Sequence, residues 1–347
     1  MGKVLIKRNE DIDILKGILI FLVVWGHCIQ YGIGFGVEWK ELGLCVQSPV
    51  HRLIYSFHMP LFMGVSGYLF YFSNKKKIGQ ISSSRMSSIV VPWLFYCLLM
   101  AITMIAIDTP FVTLGGAIKR FLSCCRYSYW FLLSLLVNSI IVCIVTRLIN
   151  DIMKQYLLFV MVGLIFIVCF VEFPNYSFVY PFFVAGYIMN QQKVTIHLRR
   201  WMLIPAIMSI TIVPFLYTPE HYIYKGMNNI FDDDNIISYP LLLRDIQRFF
   251  YAIINCIAFL ILFKSIPFKG RLKRGLIMIG RHSIGIYCLS SIIQRFEFNL
   301  IGNVGHIYAP NILTPLIDTI IIILLCESVF YVTRKSNLLR LVMLGGR

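Results

Sequence analysis

DIDILKGILIFLVVWGHCIQ, from Asp11 to Gln30, is long and apolar enough to cross a bilayer, yet it carries Asp13, Lys16 and His27 inside it. Asp or Lys at the centre of a membrane helix costs about 2.5 kcal/mol or more, so an ionisable group at that depth is read as functional unless its surroundings say otherwise. Lys16 and His27 are eleven residues apart. That spacing is close to three whole turns, which puts both side chains on one face about 16 Å apart along the axis. A lysine near a segment end also fits simple snorkelling to the headgroups, and a histidine in a bundle also fits a hydrogen-bonded packing role. Both readings stay open on this stretch alone.

The rest of the chain sets the context. Of 347 residues, 58% are hydrophobic and the mean hydropathy is +0.77, which describes a polytopic membrane protein and not a soluble one. The 32 Lys and Arg against 16 Asp and Glu give a net charge of +16. In a soluble chain this would raise nucleic acid as a partner; here the charges fall in short loops, where orientation in the bilayer accounts for them, and no nucleic acid is expected. The ten cysteines form no CxxC and no cluster with His at metal-ligand spacing, so no metal is implied. The N-terminus lacks a small-residue cleavage site, so the first apolar run reads as a retained segment and not a signal peptide. With no linker, low-complexity tract or repeat, residues 1–347 read as a single integral-membrane domain.

Windows of about 20 apolar residues predict an all-α bundle of about ten transmembrane helices, near 12–31, 53–73, 88–107, 128–149, 155–173, 176–192, 201–218, 246–264, 276–297 and 312–333. The loops on the side of the N-terminus hold 21 of the 32 basic residues, Lys75, Lys76, Lys77 and Arg85 among them, which predicts that both termini are cytoplasmic. The outer loops near 32–52, 108–126 and 219–245 are long and carry Trp39, several Tyr and mixed charges. They suit either an aromatic belt or a sugar-binding surface.

The second informative stretch is YSFHMPLFMGVSGYLFYF, from Tyr55 to Phe72. His58 lies near the outer end of its helix and His27 near the outer end of the first, so the two imidazoles are expected at one depth. Gly64, Ser66 and Gly67 allow a neighbouring helix to approach closely. Imidazole is the side chain suited to take a proton from a hydroxyl near neutral pH. With a cation held at the opposite end of the first helix, the pattern suggests acyl transfer across a membrane.

DILKGILIFLVVWGH, FHMPLFMGVSGYLF, RMSSIVVPW, the YWFL run from Tyr129 to Leu132, PFFVAGYIM and GRHSIGIYCLS occur in this order. Together they resemble the acyltransferase 3 family of integral-membrane O-acyltransferases that decorate bacterial surface polysaccharides. Two positions depart from its pattern: Lys16 stands where Arg is usual, and Ser290 where many members carry His. The resemblance implies a multi-pass protein of the bacterial inner membrane with no bound cofactor, using acetyl-CoA or another acyl-CoA as donor. The acceptor it implies is a carbohydrate hydroxyl of an envelope polysaccharide or exopolysaccharide, alone or lipid-linked. Carried onto this chain, His27 and His58 are the expected catalytic residues, and Lys16, Lys75, Lys76 and Arg85 the expected donor-binding ones. A channel between the first two helices, lined by Val23 and Ser66, is expected to carry the thioester to the histidines. A transporter or flippase of a glycan or anionic metabolite is the alternative, since charges buried among broken helices also mark transport paths.

Overall fold

The computed structural model describes residues 9–32, 48–108, 113–169, 174–195, 197–218, 221–222, 238–301 and 313–346. Trp39 and much of the first and third outer loops lie outside these residues. Among them, all regular structure is helical. Helix α1 is Glu10–Gly32, α2 is Pro49–Asn74 and α3 is Ile78–Arg85; α3 runs through a π-helical turn, Met86–Val90, into α4, Val91–Asp108. Then come α5 (Leu114–Ser123), α6 (Trp130–Leu148), α7 (Ile152–Cys169), α8 (Pro174–Gln191), α9 (Leu203–Leu216) and α10 (Tyr239–Ser265). The chain continues with α11 (Gly270–Arg281), α12 (Ser283–Ile301), α13 (Leu313–Thr333) and α14 (Asn337–Leu344).

Local chemistry explains the helix starts that matter here. The Asn9 side chain accepts from the Asp11 amide at 2.9 Å, and Glu10, Asp11 and Asp13 put negative charge on the first turn of α1, where the helix dipole favours it. Ser48 accepts from the His51 amide at 3.4 Å, and Pro49 follows it at the first helical position, where its missing N–H leaves no bond unmade.

Among the described residues each expected span falls on a helix, but not every one has the length and apolarity of a span. Six helical segments among the described residues do: Glu10–Gln30, Pro49–Asn74, Ile78–Ile107, Trp130–Leu148, Tyr239–Ser265 and Leu313–Thr333. A seventh is counted if α11 and α12, which meet at an angle of 80°, are one broken span. The expected spans at 155–173 and 201–218 fall on shorter apolar helices, Ile152–Phe166 and Arg200–Leu216. The expectation of one continuous span over 276–297 is corrected: the helix breaks at His282, so residues up to Arg281 belong to a separate basic helix.

Close backbone contact, not side-chain bulk, joins the central helices. α2 packs along α8, where a Cβ on Gly67 would collide with the Phe183 carbonyl oxygen and one on Gly186 with that of Gly64. α11 crosses the start of α1 in the same way, Gly17 against the Leu276 carbonyl and Gly280 against the Asp13 carbonyl. The main core runs through α1, α2, α4, α6, α8 and α12, while Leu157, Val160 and Leu164 on α7 and Ile320, Leu324 and Leu325 on α13 stay exposed. An apolar surface of that extent suits lipid, not water.

Candidate active site

α1 and α2 pack so that Tyr55 meets α1 twice: its ring lies against Gly26, and its hydroxyl donates to Gln30 Oε1 at 2.7 Å. This contact sets the His27 turn of α1 beside the Tyr55–His58 turn of α2. His58 is buried and His27 half-buried. His58 and a third imidazole, His51, both lie within electrostatic reach of His27. His58 Nδ1 lies 2.5 Å from the Ile54 carbonyl oxygen. A carbonyl can only accept, so Nδ1 carries the proton, and in the neutral ring the lone pair sits on Nε2. His58 is thus held in the form a base requires.

Directly toward the Lys16 end is a small cavity of about 20 Å³, lined by Ile20, Val23, Met59, Phe62, Phe131, Leu132, Ser283, Ile284 and Tyr287. Four helices contribute: α1, α2, α6 and the start of α12. Val23 is one turn from His27, and Phe62 one turn from His58. The exposed wall is apolar throughout, so the space suits a small apolar group and disfavours a phosphate. Val23 is in the wall of this space. Ser66 is not in its wall, since it sits further along α2 and donates to the Phe62 carbonyl at 2.9 Å within its own helix.

At the other end of α1, Lys16 is 8% exposed and Asp13 4%. α11 lies across them and brings cations of its own: Arg281 Nε is 3.5 Å from Asp13, and Lys273 Nζ is 2.8 Å from Glu10. Lys75, Lys76 and Arg85 belong to the end of α2 and to α3. Lys75 lies over the Tyr71 ring at 4.2 Å and Arg85 over the Phe70 ring at 4.5 Å. The Lys76 carbonyl accepts from Arg147 at 2.6 Å, which ties α2 to the end of α6. The expected donor-binding set did not include α11, whose basic residues in GRLKRGLIMIGR break the apolar window at 270–274.

Two further polar groups went unread in the sequence. At the bend between α11 and α12, His282 Nδ1 meets both carboxylate oxygens of Glu327 at 2.8 Å, and Arg334 bonds the other ring nitrogen. At the His27 end, Asn255 of α10 donates to Ser56 at 2.7 Å and accepts from Ser209 at 2.7 Å, linking α2, α9 and α10. Among the described residues, no group of three or more His, Cys, Asp or Glu side chains is arranged to hold a metal ion.

Fold and site define an integral-membrane helical protein with paired histidines above an apolar cavity and cations at its opposite end. The chain belongs to the acyltransferase 3 family: the family model, described as an acyltransferase domain, matches residues 9–331. It is similar to a nodulation protein NolL of Mesorhizobium japonicum, 27% identical over 239 residues, 66% of this chain and 61% of that protein. A nodulation protein NolL of Sinorhizobium fredii is 29% identical over 190 residues, 53% of this chain and 50% of its own length. The chain thus spans between half and about three fifths of these relatives. No solved structure matches it.

Proposed function

We propose that this protein is a membrane O-acyltransferase that moves an acyl group, acetyl first among them, from acyl-CoA to a carbohydrate hydroxyl, free or lipid-linked, in the bacterial envelope. The observation that carries this reading is the stacking along α1 and α2: cations at one end, an apolar cavity in the middle, and His27 with His58 immediately above it. In the proposed reaction the CoA phosphates stay with Lys16 and its neighbours on the cytoplasmic side, and the pantetheine arm brings the thioester between α1 and α2 toward the histidines. The acceptor hydroxyl oxygen attacks the thioester carbonyl as a histidine takes its proton; the C–S bond breaks, and the proton passes to the departing thiolate. The products are the O-acyl sugar and free CoA, with nothing else consumed. His58 supports the base role because its Nδ1–H is committed to Ile54, leaving Nε2 for the hydroxyl.

The chain acts, on this reading, as one domain with both termini in the cytoplasm. The deciding experiment incubates the purified protein in proteoliposomes with acetyl-CoA labelled in the acetyl group and an envelope glycan fraction. Label in alkali-labile ester on the glycan, with stoichiometric release of CoA thiol, is expected. Movement of glycan or anion across the bilayer without cleavage of the thioester would favour a transporter instead.

A further inference from the structure

The 18 residues from Lys264 to Arg281 carry six basic side chains and no acidic one. Lys273 and Arg281 are turned to α1, where they pair with Glu10 and Asp13. Lys269, Arg271 and Arg274 are exposed, and among the described residues none of the three side chains has an ion-pair partner. Helical spacing separates the two uses. Lys273, Leu276 and Gly280, at i, i+3 and i+7, face α1: Lys273 reaches Glu10, the Leu276 carbonyl meets Gly17, and Gly280 meets the Asp13 carbonyl. Arg271, Arg274 and Met278 repeat that spacing on the opposite side of the helix, and a Cβ on the nearby Gly275 would meet nothing.

Orientation and depth fit the edge of a bilayer. α12 runs into the bundle and α11 turns away from it by 80°, so α11 lies nearer to the membrane plane than to its normal. It crosses α1 between Asp13 and Gly17, three to seven residues past the first residue of that span, Glu10. That is about 5–10 Å along the helix, the depth to which the apolar edge of an interfacial helix sinks. Cations at this end of the bundle would by themselves serve only to orient the chain. Orientation does not account for Leu272 and Met278, which stand beside those cations 64% and 40% exposed. Water covers such side chains at a cost, whereas acyl chains cover them at none. A phosphate for these cations has two sources, a phospholipid headgroup and CoA. The apolar neighbours favour the lipid, because a soluble nucleotide makes no use of them.

We propose that the outer face of α11 binds anionic phospholipid of the adjoining leaflet: Lys269, Arg271 and Arg274 hold the headgroup phosphates, and Leu272 and Met278 rest against the first methylenes of the acyl chains. Lipid bound in this way braces α11 against α1, the contact that keeps Lys273 and Arg281 on Glu10 and Asp13. The inference needs only that the bundle spans a bilayer, and it stands whether or not the protein transfers acyl groups.

The test uses the full chain in a neutral detergent and follows binding of dioleoyl phosphatidylglycerol and dioleoyl phosphatidylcholine, which share their acyl chains, by native mass spectrometry. The wild type is expected to prefer phosphatidylglycerol. Arg271→Gln and Arg274→Gln should each weaken that lipid about fivefold, and the double variant about 25-fold, from the usual worth of a basic residue at an anionic surface. Phosphatidylcholine binding should not move. Phosphatidylglycerol should also raise the midpoint of thermal unfolding in the wild type, because it binds the folded chain, and do so less in the double variant. CoA titrated by calorimetry in the same detergent separates the second source of phosphate: its Kd should be equal in the wild type and the double variant. Equal affinity of the wild type for the two lipids, phosphatidylglycerol binding unchanged in the double variant, or a loss of CoA affinity in its place overturns the assignment. Lys269→Gln, which lies before the first residue of α11, is read in the same way if the double variant does not fold.

Discussion

Val23 and Phe62 wall the same cavity from adjacent helices, and each stands one turn from a histidine, Val23 from His27 and Phe62 from His58. The antiparallel pairing of α1 and α2 thus puts the apolar space and the proposed bases in register. Filling or widening that space should change the reaction without touching either imidazole.

Val23→Trp is the filling experiment. The indole is larger than the cavity, so neighbouring side chains must shift to admit it at a cost of about 1–3 kcal/mol or more, and transfer should be lost in protein that still folds. CoA binding, measured by calorimetry, should persist. Full-rate transfer in Val23→Trp would send the acyl group by another route.

Phe62→Ala is the widening experiment. Each methylene newly buried is worth about 0.8 kcal/mol, or roughly fourfold in kcat/KM, so propionyl-CoA and butyryl-CoA should gain on acetyl-CoA in that order. An unchanged ranking of the three donors would mean that the acyl chain does not lodge beside Phe62.

Removal of the bases should be costly. His27→Ala and His58→Ala are each expected to lower kcat by about 10² or more. The readout is labelled acetyl on glycan, with the elution profile in detergent as the check on folding. A folded variant that keeps near wild-type turnover removes that histidine from the reaction.

Donor binding should depend on both Lys16 and the helix that crosses it. Lys16→Ala and Arg281→Ala are expected to weaken CoA binding about tenfold each, the worth of one hydrogen bond to a charged group, and to flatten the dependence of Kd on salt. Lys75→Ala and Lys76→Ala test the α2–α3 end in the same assay. Should only these two respond, the phosphates sit there and not beneath α11.

Gly280→Leu probes the crossing itself. A side chain at this position meets the Asp13 carbonyl, so α11 must lift from α1 or the backbone must shift, at a cost of about 1–3 kcal/mol or more. The midpoint of thermal unfolding in detergent should fall, and CoA affinity with it. An unaltered melting profile would show that the two helices are not in tight contact.

Much was legible from local rules. Apolar runs of bilayer length marked the helices, because nothing but a helix satisfies its own backbone in lipid. The positions of His27 and His58 within their runs predicted a shared depth, and the helical period put Val23 on the path between Lys16 and His27. The break at His282 was not legible, since hydropathy runs on through Leu276 to Ile279 and only the fit of Gly280 against Asp13 pulls that segment across α1.

By itself the sequence determined that this chain is a helical membrane protein, where most of its helices lie, and that His27 and His58 stand near one end of the first two. These follow from composition and from the 3.6-residue period, which act within one segment at a time. Only the tertiary structure decided that α11 brings Arg281 and Lys273 to the start of α1, that Phe131 and Tyr287 close the cavity, and that His51 is buried beneath Tyr222. His51 and its phenol are 171 residues apart. No periodicity within a helix carries information across such a distance; the contact exists because the whole bundle packs, and packing is a property of all its surfaces together.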